Sequence, residues 1–257
     1  MFVTTAGRTN QQMIEKAMKI ADTLAVPYIP RRKKSIQALQ KETNSECIVV
    51  GKERLELFSL EAEQPFIFHP NSAMFRIKRL ANGEHDPFVE AAQLTKGMTF
   101  LDCTLGLASD SIVASFIVGD EGTVTGTEGQ KYLAFMVREG LKTWDSEIYD
   151  MNKAMARIEV VHSRALEYLS SLPDNSVDCV YFDPMFDEAI LESDGIKSLG
   201  HMALYDDLNE ETIEEAMRVS KNRVILKDHY KSKRFEKYGF HVLRRKTAKF
   251  HFGFLEN

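Results

Sequence analysis

Apolar residues recur along the chain with two different periods, and the switch between them divides it into two parts. Phe2-Val3-Thr4-Thr5 reads as a short strand. Met13, Ile14, Ala17, Met18, Ala21 and Leu24 then recur at helical spacing, behind a cap at Thr9 or Asn10. Pro27 and Pro30 bracket an extended piece, and a second helix follows Arg31-Arg32-Lys33-Lys34 and ends near Thr43. Residues 47–51 and 55–58 predict paired strands with the turn at Lys52-Glu53-Arg54. Residues 65–69 and 74–80 predict two more strands. The second of these alternates apolar and basic residues, which implies one buried and one positive face. The turn cluster Asn82-Gly83-Glu84-His85-Asp86-Pro87 closes this part, so the expectation is a small α+β domain over residues 1–85, with a possible RNA-binding role.

From Asp86 the pattern alternates strand and helix. Asp86 caps a helix with Pro87 at its first position. Strands follow at 98–103, 123–128, 158–162, 177–183 and 223–227, with helices at 110–118, 130–144, 165–170 and 209–220 between them. Residues 239–244 and 249–255 alternate like a closing hairpin. Strands separated by helices predict a mostly parallel sheet, whose ligands bind beyond the carboxyl ends of the strands.

Bulk properties narrow the class. The 257 residues contain no apolar run long enough to cross a bilayer and no signal-peptide pattern, so a soluble, cytoplasmic protein is expected. Cys47, Cys103 and Cys179 are odd in number and far apart and read as reduced core residues, and the histidines lack ligand spacing, so no metal is expected. The net charge of −5 conceals a segregation: residues 1–85 carry 13 basic and 9 acidic side chains, 86–217 carry 8 and 26, and 218–257 carry 12 and 3. Basic ends flanking an acidic middle point to a polyanionic partner.

The chemistry lies at the strand ends. Asp102, Glu128 and Asp183 each close a predicted strand, and Gly106 allows a close backbone approach in the turn after the first. A dinucleotide site would want G-x-G-x-x-G here, whereas Ala108 and Ser111 stand at the later glycine positions. A single glycine suffices when no pyrophosphate has to be cradled. With Glu128 placed to accept both hydroxyls of a ribose, the pattern favours S-adenosylmethionine over NAD. Asp183-Pro184-Met185-Phe186 follows the apolar run 180–182 and resembles the Asp-Pro-Pro-Tyr/Phe motif of methyltransferases that act on exocyclic amino groups of bases. A carboxylate there can accept the hydrogens of a ring-conjugated amine and aim its lone pair; Pro184 fixes the turn, and Phe186 offers a face on which a flipped base stacks.

Residues 98–230 resemble the S-adenosylmethionine-dependent methyltransferases related to the bacterial small-subunit ribosomal RNA guanine amino-methyltransferase. The shared residues are Asp102-x-Thr104-x-Gly106-Leu107 with Asp110, Glu128, His162, Tyr181-x-Asp183-Pro184-Met185-Phe186 and Lys227. The first 85 residues match loosely and suggest a separate, Gram-positive-type branch. The resemblance implies a class I (Rossmann-like) methyltransferase domain over 86–257 with a seven-stranded, mostly parallel sheet. It implies S-adenosyl-L-methionine as cofactor, bound by Asp102, Thr104, Gly106, Ser109, Asp110, Glu128, Gly129, Arg164, Ala165 and Asp183. Asp183, Pro184 and Phe186 would carry catalysis. Two departures stand out: Ala108-Ser109 replaces a glycine and an arginine of the family, and Asp187 replaces a proline. The basic clusters at 31–34, Arg76/Lys78/Arg79, Lys231/Lys233/Arg234 and 244–246 would track the phosphates of a structured RNA, either rRNA or a small-subunit assembly intermediate. The expected reaction is methylation of an exocyclic base amine, guanine favoured. The alternatives are another amine (adenine, protein or metabolite), or an RNA-binding module with a degenerate cofactor site.

Overall fold

In a computed structural model, which describes residues 1–62, 64–184 and 208–257, the chain forms two compact units that part between Phe68 and His69. In the smaller unit, β1 (Phe2–Thr5) runs parallel to β2 (Cys47–Val50), which turns into antiparallel β3 (Leu55–Phe58). Helix α1 (Gln11–Leu24) starts where the Asn10 side chain accepts the Met13 N–H at 2.9 Å, and it buries Met13, Ala17, Ile20, Ala21 and Leu24. Helix α2 (Ile36–Thr43) is capped in the same way by Ser35. Phe2, Ile36, Leu39, Cys47 and Val49 form a modest core. Residues 65–69 do not make the expected strand. Only Phe66 bridges to Leu57, because Pro65 and Pro70 supply no N–H to a ladder.

Residues 74–80 also depart from expectation. They belong to a helix, α3 (Asn71–Ala81), grouped with the larger unit rather than lying before a boundary at residue 85. Its buried residues Ala73 and Ile77 are four apart, so the helical period outcompeted the alternation. Helix α4 (Pro87–Ala92) follows as the capping signal predicts, with the Asp86 carboxylate accepting the Phe88 and Val89 N–H groups.

The larger unit then alternates. Its strands are β4 (Thr99–Asp102), β5 (Thr123–Glu128), β6 (Ile158–His162), β7 (Val177–Phe182) and β8 (Ser220–His229). Between and after them come α5 (Ser109–Val118), α6 (Lys131–Thr143), α7 (Tyr149–Arg157), α8 (Ala165–Ser171), α9 (Glu210–Val219) and α10 (Arg234–Lys237). The last two strands are β9 (His241–Leu243) and β10 (Phe250–Glu256). Helices α7 and α10 were not legible in the apolar pattern. Among the described residues the strands order as β6-β5-β4-β7-β8-β10-β9, parallel except where β10 enters antiparallel to both its neighbours. The expected seven-stranded, mostly parallel sheet is therefore present. β4 lies inside it between β5 and β7, and the carboxyl ends of these three strands bring the predicted acids to one edge. Phe88, Phe100 and Tyr181 pack under that edge with ring centroids 5.0–5.9 Å apart.

Candidate active site

The turn after β4 is built around Asp102. Buried at 2% exposure, it accepts the Ser111 hydroxyl at 2.6 Å through one oxygen and the Thr104 N–H at 3.0 Å through the other. Burial pushes its carboxyl up to about 7 against the pull of those donors, with Asp110 and Asp183 adding to the rise. Gly106 and Ala108 both take left-handed conformations, φ 47° and 60°, and Ala108 leads into α5. Leu105 rests on Gly126 of β5, where an added Cβ would meet Leu105 Cδ1 at 2.3 Å. The β4 turn therefore sits directly on the neighbouring strand.

Glu128 stands at the end of β5, partly exposed, and accepts the Gln130 N–H at 2.9 Å. Burial raises its carboxyl, opposed by the backbone amides of Gln130 and Gly106. Gly129 is tied to the next strand end, its carbonyl 3.2 Å from His162 Nε2. Arg164 and Ala165 open α8 just beyond β6. Thus Glu128, Gly129, Arg164 and Ala165 line up along the edge on one side of the β4 turn, with Asp183 on the other.

Asp183 follows β7 directly. Its N–H donates to Thr104 Oγ1 at 2.6 Å, which locks the two strand-end turns together. Its carboxylate lies 2.6 Å from Lys227 Nζ, with both side chains about a quarter exposed. Burial raises the Asp183 carboxyl, Lys227 pulls it down and Asp110 pushes it up, for a net rise. Lys227, on β8, also reaches Asp110 at 3.2 Å. Burial works against its ammonium, but Asp110 and Asp183 outweigh that and hold it above its ordinary range.

Asp110 is the hub beneath. It accepts the Tyr181 hydroxyl at 2.8 Å and Arg76 Nη1 at 2.5 Å, while the remaining nitrogens of Arg76 clamp Asp86 at 2.7 and 2.9 Å. Burial opposes the Asp110 charge, but Lys227 and Arg76 overcome this and hold its carboxyl well below the carboxylate range. Arg76, whose guanidinium also lies over Phe88 at 5.4 Å, eluded the sequence reading. Treated as a surface phosphate ligand on a strand, it is in fact an inward brace. The signal that would have found it is the Ala73–Ile77 interval, which makes this segment a helix.

Several expected residues thus meet at one edge: Asp102, Thr104, Gly106, Ser109, Asp110, Glu128, Gly129, Arg164, Ala165, Asp183 and Pro184. The carboxylates of Asp102 and Asp110 are consumed by partners inside the protein. Met185, Phe186 and Asp187 lie outside the described residues. Cys103 and Cys179 are buried, and burial pushes both thiols up, so neither is a poised nucleophile. Among the described residues no group of three or more His, Cys, Asp or Glu is placed to hold a metal ion, and no helix is long and apolar enough to cross a membrane.

A crystal structure of the SAM-dependent methyltransferase NGO1261 from Neisseria gonorrhoeae superposes with a TM-score of 0.63 at 18% identity, covering 100% of this chain and 96% of that one. The fold is therefore that of the class I methyltransferases. Residues 31–252 match the family described as "Putative SAM-dependent methyltransferase", and the chain belongs to it. The uncharacterized protein YpiP of Bacillus subtilis (strain 168) is 46% identical over 255 residues, covering 99% of both chains. Ribosomal RNA small subunit methyltransferase J of Legionella pneumophila (strain Lens) is 27% identical over 234 residues, covering 88% of this chain and 86% of that one. The protein is an S-adenosylmethionine-dependent methyltransferase. The donor set fits that cofactor: a carboxylate at the second strand end for a ribose diol, and a left-handed turn at the first.

Proposed function

We propose that the protein methylates an exocyclic amine of a base in ribosomal RNA, with guanine the favoured base, in the cytoplasm where the small subunit assembles. The observation that carries this reading is the placement of Asp183. Its backbone is pinned to the cofactor turn through Thr104, and its carboxylate is oriented by Lys227 on the next strand. The Legionella relative named for small-subunit ribosomal RNA supports the substrate class.

S-adenosylmethionine, when bound, supplies an electrophilic methyl group on a sulfonium. Glu128 holds the ribose hydroxyls. The backbone of Thr104, Gly106 and Ser109, with Gly129, Arg164 and Ala165, lines the pocket. Asp102 and Asp110 act by bracing the turn, because their oxygens are engaged within the protein. Asp183 accepts the amine hydrogens and directs the nitrogen lone pair, Pro184 sets the direction of the chain after it, and Phe186 stacks the base. Most of the acceleration comes from holding the nitrogen in line with the methyl group.

The test is methyl incorporation into small subunits from a strain lacking the protein, followed by mass mapping of the modified nucleotide. Asp183→Ala is expected to abolish transfer while retaining S-adenosylmethionine binding by calorimetry. Unimpaired transfer by this variant overturns the mechanism. Incorporation into adenine, protein or a metabolite instead overturns the substrate. Failure of the wild type to bind S-adenosylmethionine leaves a degenerate RNA-binding module.

A further inference from the structure

Lys227 lies three residues from the end of an aromatic and basic ridge that the reaction chemistry does not use. β8 continues past Lys227 through Asp228 to His229, and Tyr230 follows, about 10 Å along the extended backbone from Lys227, whose ammonium touches Asp183. β10 returns antiparallel with Phe250 opposite His229 and His251 opposite Asp228. The loop at 244–249 is therefore at the same edge of the sheet as Asp183. Its attachment is direct, since the Tyr230 N–H donates to the Lys249 carbonyl at 3.0 Å.

Two properties of this ridge need an occupant. The first is Tyr230 itself, 49% exposed although its ring is flanked by His229 at 4.5 Å and His251 at 6.2 Å between centroids. Lys231 Nζ stands 5.4 Å from the Tyr230 ring centroid. A large aromatic face left half in water, with a cation beside it, is a stacking platform. The second is charge. Between Tyr230 and His251 the chain carries eight Lys and Arg against the single acid Glu236, whereas residues 86–217 are strongly acidic. Lys231, Lys233, Arg244, Arg245, Lys246 and Lys249 are all exposed. A polyanion approaching the acidic unit is drawn to this edge.

We propose that His229, Tyr230 and the 244–249 loop hold the single-stranded RNA that flanks the target base. Tyr230 stacks one unpaired base, and the surrounding Lys and Arg take the adjoining phosphates. This rests on the RNA reading above and assigns its substrate-holding surface. Single-stranded nucleic acid fits better than a protein partner because an aromatic platform interleaved with cations matches bases alternating with phosphates.

The probe is a short fluorescein-labelled single-stranded oligoribonucleotide of mixed sequence, titrated with the full chain by fluorescence anisotropy over a range of salt. Tyr230→Ala is expected to weaken binding roughly tenfold or more, and Tyr230→Phe to retain it. The triple variant R244A/R245A/K246A is expected to lower the salt slope by about 2. Calorimetric affinity for S-adenosylmethionine should match wild type in all three, which separates a lost contact from a lost fold. Unchanged RNA binding by Tyr230→Ala, in a protein that binds the oligonucleotide and methylates RNA, overturns the platform alone. Equal binding of polyglutamate also overturns it, since charge without stacking then suffices. If wild type binds neither the oligonucleotide nor small-subunit RNA, the RNA reading falls with it.

Discussion

The Lys227 ammonium lies 2.6 Å from the Asp183 carboxylate and ties β8 to the turn that follows β7. Burial raises the Asp183 carboxyl, and Lys227 is the main force pulling it back. Lys227→Met therefore raises it further. If Asp183 works as a carboxylate, transfer is lost as pH falls through its folded value, so the acid limb of the rate profile moves to higher pH in Lys227→Met. Lys227→Arg keeps the charge and should leave that limb near wild type, even if the longer side chain lowers the rate. Rates at saturating cofactor across pH check this; an unmoved acid limb in Lys227→Met shows that the lysine does not set the protonation of Asp183. The same substitution should cost stability of about 3 kcal/mol, because the buried Asp110 and the partly exposed Asp183 both lose the Lys227 cation.

Arg76 bridges Asp86 and Asp110, joining the cap of α4 to the start of α5. Arg76→Met strands two buried carboxylates and is expected to destabilise by about 3–5 kcal/mol in urea unfolding. Asp110→Asn removes one of them. The double variant should cost less than the sum of the singles, with a coupling of about 1–3 kcal/mol. Simple additivity of the two would show that the guanidinium works through Asp86 alone.

How much of this could be read from the sequence depended on whether a local signal was unique. Caps were: Asn10, one of two candidates with Thr9, and Asp86 each start a helix, because the side chain there accepts N–H groups that the first turn leaves unpaired. The strands ending in Asp102 and Phe182 were legible from apolar runs with an acid at or just after the end, and the strand ending in Glu128 from its place between two predicted helices. Residues 71–81 were not, since Phe75, Ile77 and the basic residues between fit a strand while Ala73 and Ile77 fit a helix. Tertiary packing chose the helix. The roles of the acids were only half legible. Position along the chain brought Asp102, Asp110 and Asp183 to one edge. Only the partners, Ser111, Arg76, Tyr181 and Lys227, show that two of the three carboxylates point into the protein.

Gly126 lets the β4 turn settle on β5. An alanine there would bring its Cβ to 2.3 Å from Leu105 Cδ1, a side chain at 3% exposure with little room to retreat. Gly126→Ala is expected to destabilise by about 1–3 kcal/mol and, because Leu105 precedes Gly106, to weaken S-adenosylmethionine binding. Adding Leu105→Ala removes the clash, so the double variant should be more stable than the two single effects predict. Thermal unfolding with calorimetric titration tests both effects. Full additivity would mean that the strand yields and the turn does not.

Asp102 gives the site a stability that depends on pH. Its carboxyl, pushed up to about 7 mainly by burial, stands against an ordinary value of about 3.9 in the unfolded chain. Between those values the folded protein keeps a proton that the unfolded chain releases. Stability therefore falls as pH rises through this window, by up to about 1.4 kcal/mol per pH unit, and the contribution levels off above about 7. Asp102→Asn cannot titrate. Whatever constant change it makes to the bonds with Ser111 and Thr104, its stability relative to wild type should climb from about pH 4 to about pH 7 and then hold steady. Urea unfolding of both proteins at several pH values across that range measures the difference. A flat or falling difference would mean that Asp102 is already ionised in the folded protein, with the Ser111 hydroxyl and the Thr104 amide meeting the whole cost of its burial.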